Sequence, residues 1–149
     1  MAEVKKKFTL YDSDPNVTED STFGATWRDT WSWQCPDHMK VLLQPGDEFS
    51  LKAYDSSDVE YVAPDALVEV LVRSAGGEVY ERIYGPANYT SSADFQDHKK
   101  IRKLQLDHPI LVKPRDKIVF RTYDSTGMDA ASVANSYCRL VTTKIVEEK

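Results

Sequence analysis

"KPRDKIVFRTYDST", residues 113–126, is the stretch that decides the fold, because most of it has already occurred once as "QPGDEFSLKAYDSS", residues 44–57. In both copies a proline, followed two residues later by an aspartate, separates an apolar run from an alternating segment that ends in Tyr-Asp-Ser. An Asp-His pair precedes each copy. The matching positions are Leu42 and Leu111, Pro45 and Pro114, and Asp47 and Asp116. So many matches in the same order indicate one structural unit that is used twice.

Each part of the repeat is typical of β structure. The apolar runs at 41–43 and 110–112 are short enough to be buried strands. Proline fixes φ and has no N–H to donate, so the two prolines are expected to end these strands and begin turns. The aspartates that follow are expected to accept hydrogen bonds from the turn amides. Apolar and polar residues then alternate, which predicts strands with one face toward a core.

The rest of the chain continues this pattern. Residues 67–73 and 78–84 flank SAGG, which predicts a β-hairpin with glycines at positive φ. A partial third copy, a strand followed by Tyr-Asp-Ser, occurs at residues 8–14. With roughly nine or ten strands and at most two short helices expected, the sequence predicts an all-β protein. Its architecture is predicted to be a jelly-roll-like antiparallel β-sandwich with two related halves.

The length of 149 residues fits a single domain. Within it we expect residues 1–37 to form an unpaired amino-terminal arm with a Trp-rich segment, and residues 38–149 to form the sandwich.

The bulk composition excludes several classes of partner. A net charge of −5 argues against nucleic-acid binding, because phosphate contacts need a basic surface. No apolar run reaches the roughly 18 residues of a membrane span, and no apolar region of a secretory signal follows Met1. We therefore expect a cytoplasmic site of synthesis. Cys35 and Cys138 are then expected to be buried small hydrophobic residues, with a disulfide between them as the alternative.

No motif in the sequence indicates catalysis or a cofactor. The Gly-x-Ser-x-Gly, phosphate-binding and His-Glu-x-x-His patterns are absent from the sequence. The three histidines, His38, His98 and His108, lack metal-ligand spacing. We predict no catalytic residue, no cofactor and no bound metal. The Tyr-Asp-Ser segments are expected to cap turns, and calcium binding by their oxygens is the alternative.

Two kinds of segment are candidates for contacting a partner. Trp27, Trp31 and Trp33 lie within seven residues, and they either pack in the core or form an exposed platform for sugar rings or a protein. The second kind is basic, and includes Lys5, Lys6 and Lys7. It also includes Lys99, Lys100, Arg102 and Lys103. Such lysines either guard a strand edge against aggregation or dock on an acidic partner.

An acidic all-β chain with two jelly-roll-like halves, joined by the turns PGDEF and PRDKIVF, resembles the decoration (cement) proteins of tailed viruses. These proteins sit on the outside of icosahedral heads, often as trimers, and staple neighbouring capsid subunits. The resemblance covers residues 38–146 in architecture, and it assigns no functional residue of that family to this chain. It implies a homotrimer that is made in the host cytoplasm and binds the major capsid protein on the exterior of the virion.

The sequence thus predicts a non-enzymatic structural protein that stabilises a viral head by bridging capsid subunits. The predicted contact residues are the three amino-terminal lysines, the three tryptophans, and the basic residues of 99–103. The alternative is a carbohydrate-binding module that uses the tryptophans as an aromatic platform.

Overall fold

The computed structural model describes residues 3–11, 14–19, 27–52, 66–88, 102–124 and 137–147. No helix occurs within these ranges, and their regular structure consists of strands. The eleven strands are β1 Glu3–Tyr11, β2 Val17–Glu19, β3 Arg28–Gln34, β4 Met39–Leu43, β5 Glu48–Lys52, β6 Ala66–Arg73, β7 Val79–Asn88, β8 Arg102–Lys103, β9 Ile110–Val112, β10 Lys117–Asp124 and β11 Tyr137–Glu147. The predicted all-β class is confirmed.

Sheet A contains six strands that occupy four positions. β11 lies between β1 on one side and both β4 and β5 on the other. Leu42 of β4 pairs with Thr143 and Glu48 of β5 pairs with Val141, so β4 and β5 are one strand interrupted by a turn. β8 and β9 lie along β5 and β4 in the same way. The sheet is therefore four strands wide.

Sheet B has the antiparallel order β2-β3-β10-β6-β7. When each interrupted strand is counted once and the three-residue β2 is left aside, the described strands occupy eight positions. Sheet A then has the order 1-8-3-6 and sheet B the order 2-7-4-5. Eight antiparallel strands rolled into two sheets in this way form a jelly roll, as the sequence predicted.

The two repeated turns have the same hydrogen bonds. The Asp47 amide donates to the Gln44 carbonyl at 3.0 Å, and the Gln44 amide donates to Asp47 Oδ2 at 2.8 Å. At the second copy the Asp116 amide donates to the Lys113 carbonyl at 3.0 Å, and the Lys113 amide donates to Asp116 Oδ2 at 3.1 Å. The prediction that these aspartates satisfy turn amides is confirmed.

Beyond these turns the two copies differ. Leu42 lies directly opposite Leu111, so the first strands of the repeat are neighbours in sheet A. After the first turn β5 stays in sheet A, whereas after the second turn β10 belongs to sheet B. The repeat therefore preserves a strand and its turn, while the strand that follows is placed in two different sheets.

The core lies between the sheets and draws on both. Its largest fully buried side chains are Trp33, Phe49, Phe120, Leu10, Leu43, Ile83 and Ile118. Phe49 of sheet A packs edge-on against Tyr84 of sheet B with ring centroids 4.7 Å apart. Large aromatic side chains dominate the burial of apolar area that stabilises such a sandwich.

The amino-terminal segment is part of this core, and the expectation of an unpaired arm is wrong for its described residues. β1 pairs with β11 over its whole length, from Glu3 opposite Glu147 to Tyr11 opposite Arg139. Leu10 is fully buried beside its pairing partner Leu140. β3 also precedes residue 38, and it pairs with the central strand β10 of sheet B. The lysines suggested an arm because charge in a sequence does not distinguish a free segment from an edge strand.

The glycine in the first repeated turn gives a testable backbone prediction. Gly46 has a φ of +93°, and a Cβ atom there would meet no other atom within 4 Å. Gly46→Ala should therefore lower the free energy of unfolding by about 1 kcal/mol through backbone strain alone. Urea denaturation measures this change. Gly76→Ala is the control, because Gly76 lacks a positive φ and a Cβ atom would lie 3.8 Å from Ser74 Oγ; an equal loss at both glycines would contradict the prediction.

Candidate partner-binding surfaces

The three predicted tryptophans separate into two groups. Trp31 and Trp33 are 3% and 1% exposed and belong to the core between the sheets. The prediction that they contact a partner is therefore wrong for the folded chain, and the alternative of core packing is confirmed. Their alternation with Ser32 on β3 explains this result, since every second side chain of the strand faces the other sheet.

Trp27 lies on the other side of sheet B, the outer face. Its ring centroid is 5.6 Å from that of Tyr123, and the guanidinium carbon of Arg121 lies 5.5 Å from the Trp27 ring. Trp27 is half-buried. The arrangement is a cation–π contact supported by a second aromatic ring.

Arg121 connects this aromatic pair to a group of paired charges, which we call the outer ion network. Its Nε donates to Asp29 Oδ1 at 2.9 Å, and its Nη1 donates to Glu69 Oε1 at 2.7 Å. The other Glu69 oxygen lies 3.1 Å from Arg82 Nε. Arg73 also pairs with Asp29. Glu69 is only 2% exposed, so its charge is balanced by two guanidinium groups close to the protein surface.

The outer ion network shares this face of sheet B with buried apolar residues. Val119 and Leu71 lie opposite each other on the outer face of sheet B, yet they are 0% and 1% exposed. The long side chain of Arg73 pairs with Asp29 two strands away on the same face. Four charged side chains of this face, Asp29, Glu69, Arg73 and Arg121, are thus paired with one another.

The outer face of sheet A has a different character. Lys7, Thr143, Leu42 and Leu111 stand in one row across its four strand positions. This row faces outward, because the neighbours of Leu42 in sequence, Val41 and Leu43, are in the core. Leu111 is 40% exposed. Sheet A therefore presents apolar side chains beside lysines to its surroundings.

The predicted basic residues lie at the two ends of that sheet. Lys5, Lys6 and Lys7 are exposed on β1, whose only described neighbour is β11. Arg102 and Lys103 form β8 at the opposite end. The structure does not bring the two groups together, and both positions fit the expectation that lysines guard strand edges. Lys99 and Lys100 lie outside the described residues.

Cys35 is a buried, free thiol that is not in a disulfide. Burial, together with the nearby carboxylates of Asp116 and Asp37, raises its pKa to about 12. The sulfur lies 3.3 Å from the Met39 carbonyl, to which it donates. A thiol held in its protonated form is a poor nucleophile, so the prediction of a structural cysteine is confirmed. The side chain of Cys138 lies outside the described part.

The raised pKa of Cys35 predicts slow alkylation. In a Cys138→Ser variant, which leaves one thiol in the sequence, native protein at pH 8 should react with iodoacetamide far more slowly than urea-unfolded protein. Because the folded-state pKa is raised, the native rate should still be climbing at pH 10, well above the pH at which the unfolded thiol reaches its plateau. Mass spectrometry of quenched samples measures both rates. Equal rates in native and unfolded protein would refute the burial of this thiol.

The cavities beside Asp37 are small. Two cavities of about 130 and 230 Å³ lie near the ends of β3 and β4, and both include Asp37. Ligand pockets are usually about 300–1,000 Å³. Within the same ranges no group of three or more His, Cys, Asp or Glu side chains is placed to hold a metal ion, and no helix is long and apolar enough to cross a membrane.

The predicted histidine and calcium positions are only partly described. His38 and His108 are exposed at turns. His108 Nδ1 lies 2.5 Å from Asp107 Oδ1, and this hydrogen bond lowers the pKa of the Asp107 carboxyl. His98 and most of the Tyr-Asp-Ser segments lie outside the described residues, so the calcium alternative stays untested.

Comparison with known proteins identifies the fold. No family model matches the chain, and no curated protein sequence matches it. Among solved structures, the chain is similar to VP17, a capsid protein of bacteriophage P23-77. The TM-score is 0.63 and the match covers 100% of both chains, at 6% sequence identity. The jelly roll of this protein is therefore an architecture that a phage capsid protein also has.

Proposed function

We propose that this chain is a non-enzymatic structural protein of a viral capsid. The observation that carries the proposal is the match in fold with a phage capsid protein over the whole length of both chains. The role follows from fold-level similarity, so it has to be tested on particles.

The finer role that we propose is decoration: the protein binds the exterior of an assembled shell and stabilises it by bridging subunits of the major capsid protein. A protein that binds only the assembled state shifts the equilibrium toward that state by mass action. The difference between the two outer faces supports a one-sided attachment. The charges of the outer ion network are paired with one another on sheet B, whereas Leu111 at one edge of sheet A and Lys7 at the other edge are exposed. A homotrimer would match sites of threefold symmetry on such a shell.

The direct test is to follow an epitope-tagged chain in cells that produce the virus. We expect the tagged protein to sediment with purified particles and to be labelled by antibody on intact ones. Particles that lack the protein should release their genome at lower temperature. Recovery of the chain only in the particle-free fraction would overturn the capsid role. Recovery in particles without antibody access would overturn the exterior location but leave the capsid role.

Sugar binding is the second candidate function, and one observation keeps it open. Trp27 and Tyr123 form a half-buried aromatic pair on the outer face of sheet B, whereas the two other tryptophans are buried in the core. If this pair bound sugar rings, adding polysaccharide would shift the Trp emission of the wild type but not of Trp27→Ala. An unchanged emission in both proteins would remove this candidate.

A further inference from the structure

β1 is a long strand with an unused edge in the described structure. Its nine residues pair with β11 in one continuous register, without the shifts seen between β10 and β3 or between β6 and β7. No other described strand pairs with it. In an antiparallel strand about half of the residues point their N–H and C=O groups to each side, so about half of β1 directs its backbone groups away from β11. Such an edge is a template for another strand.

The side chains of this edge are strongly basic in an otherwise acidic protein. Lys5 and Lys7 are exposed on the outer face of sheet A, while Lys6 lies on the core-facing side opposite Lys144. The whole chain carries a net charge of −5. Positive charge is thus concentrated at the middle of the open edge. An incoming strand would place its own side chains directly opposite these lysines.

This charge disfavours a second copy of the chain as the occupant. If two β1 strands paired antiparallel over their full length, Lys7 would stand opposite Lys7, and Lys5 of each copy would lie diagonal to Lys7 of the other copy. Like charges placed opposite each other destabilise a strand pair. A segment with acidic residues at the positions that face Lys5 and Lys7 would instead form opposite-charge pairs on the outer face of the sheet.

We propose that the open edge of β1 accepts an extended acidic segment of a neighbouring capsid subunit as an additional strand of sheet A. Backbone hydrogen bonds supply affinity in this mode of recognition, and the lysines select acidic sequences and set the register. The identity of the partner as a capsid subunit rests on the proposed function. The preference for an acidic extended segment rests on β1 alone.

The test uses the full-length chain and the dye-labelled peptide TVTEDETVT as a probe, with TVTKKKTVT as the peptide control. Fluorescence anisotropy should show saturable binding of the acidic peptide that weakens as salt increases, and no binding of the basic one. Lys5→Glu/Lys7→Glu should weaken binding by at least about tenfold. Lys113→Glu/Lys117→Glu makes the same change of charge at exposed positions away from β1 and should leave binding within about twofold.

Two further measurements decide whether the peptide adds as a strand. Hydrogen exchange should slow at the amides of β1 when the acidic peptide is bound, and a peptide with N-methyl groups on alternate residues should not bind. Lys5→Gln/Lys7→Gln replaces the glutamate variant if that variant does not fold. Binding that survives N-methylation or the loss of both lysines would overturn the proposal. So would a chain whose β1 edge is occupied by a second copy, seen as a dimer in sedimentation velocity.

Particle binding separates this inference from the capsid role. If wild-type protein and Lys5→Glu/Lys7→Glu both join particles equally, the edge is not the attachment site, yet the capsid role stands. If wild-type protein fails to join particles while the acidic peptide still binds β1, the capsid role fails and the edge specificity stands.

Discussion

Glu69→Ala is expected to lower the free energy of unfolding by about 3 kcal/mol. The carboxylate is 2% exposed and accepts from Arg121 Nη1 at 2.7 Å, while its other oxygen pairs with Arg82. Removing one member of a buried ion pair leaves the remaining charge without compensation, and this penalty exceeds the net value of the pair itself. Arg121 keeps its bond to Asp29, which limits the loss. Urea denaturation at pH 7 without added salt measures this change in the free energy of unfolding.

Glu78→Ala is the matched control for Glu69→Ala. Glu78 is exposed in the turn between β6 and β7, and the hydrogen bond it makes there uses its backbone carbonyl. The same substitution should therefore change the free energy of unfolding by less than about 0.5 kcal/mol. If Glu69→Ala also cost less than about 1 kcal/mol, the outer ion network would behave as an ordinary solvent-exposed pair.

Leu10→Ala should lower the free energy of unfolding by about 3 kcal/mol. The substitution tests whether β1 is an integral strand of the sandwich or an unpacked arm. Leu10 is fully buried opposite Leu140, so truncation removes apolar contacts and leaves a cavity between the sheets. The measurement is again urea denaturation, with the slope of the transition compared between variants to detect a change in the surface exposed on unfolding.

Tyr11→Ala provides the control on the neighbouring residue. Tyr11 is 48% exposed and points to the opposite side of the strand, so its loss should cost less than about 1 kcal/mol. An arm that does not pack on the sandwich would make both substitutions equally harmless. That outcome would contradict the pairing of β1 with β11.

The turns and strands were predictable because their signals are local. Pro45 and Pro114 mark the ends of β4 and β9, and the aspartates that follow them bond the turn amides as expected. Short apolar runs likewise identified the strand before each turn, and alternation identified the strand after it. The assignment of these strands to sheets was not local. Nothing near Phe49 or Phe120 indicates that the first belongs to sheet A and the second to sheet B.

The outer ion network was missed, although one of its members gave a signal. Its charges are spread over β3, β6, β7 and β10, and only the folded sheet brings them together. Glu69 interrupts the apolar strand ALVEVLVR, where a charged residue needs a partner. That pattern predicts a buried ion pair on β6 but does not name Arg121 or Arg82.

The burial of the tryptophans could likewise not be predicted from the local sequence. Spacing correctly places Trp31 and Trp33 on one face of a strand, but it does not tell which face is covered. Burial depends on the second sheet, which is contributed by residues far away in sequence. The lysines of β1 were ambiguous for a related reason, since an edge strand is defined by the neighbour that it lacks.

The position of β11 has a consequence for how the protein is made. It is an interior strand of sheet A, contacting β1 on one side and β4 and β5 on the other, and Glu3 pairs with Glu147. During synthesis β1, β4 and β5 cannot pair with β11 until residues 137–147 have been made. Folding dominated by such distant pairing is slow, typically milliseconds to seconds. A chain stopped before residue 137 would hold β1 without its described support, and incomplete products would be barred from any assembly that uses this edge.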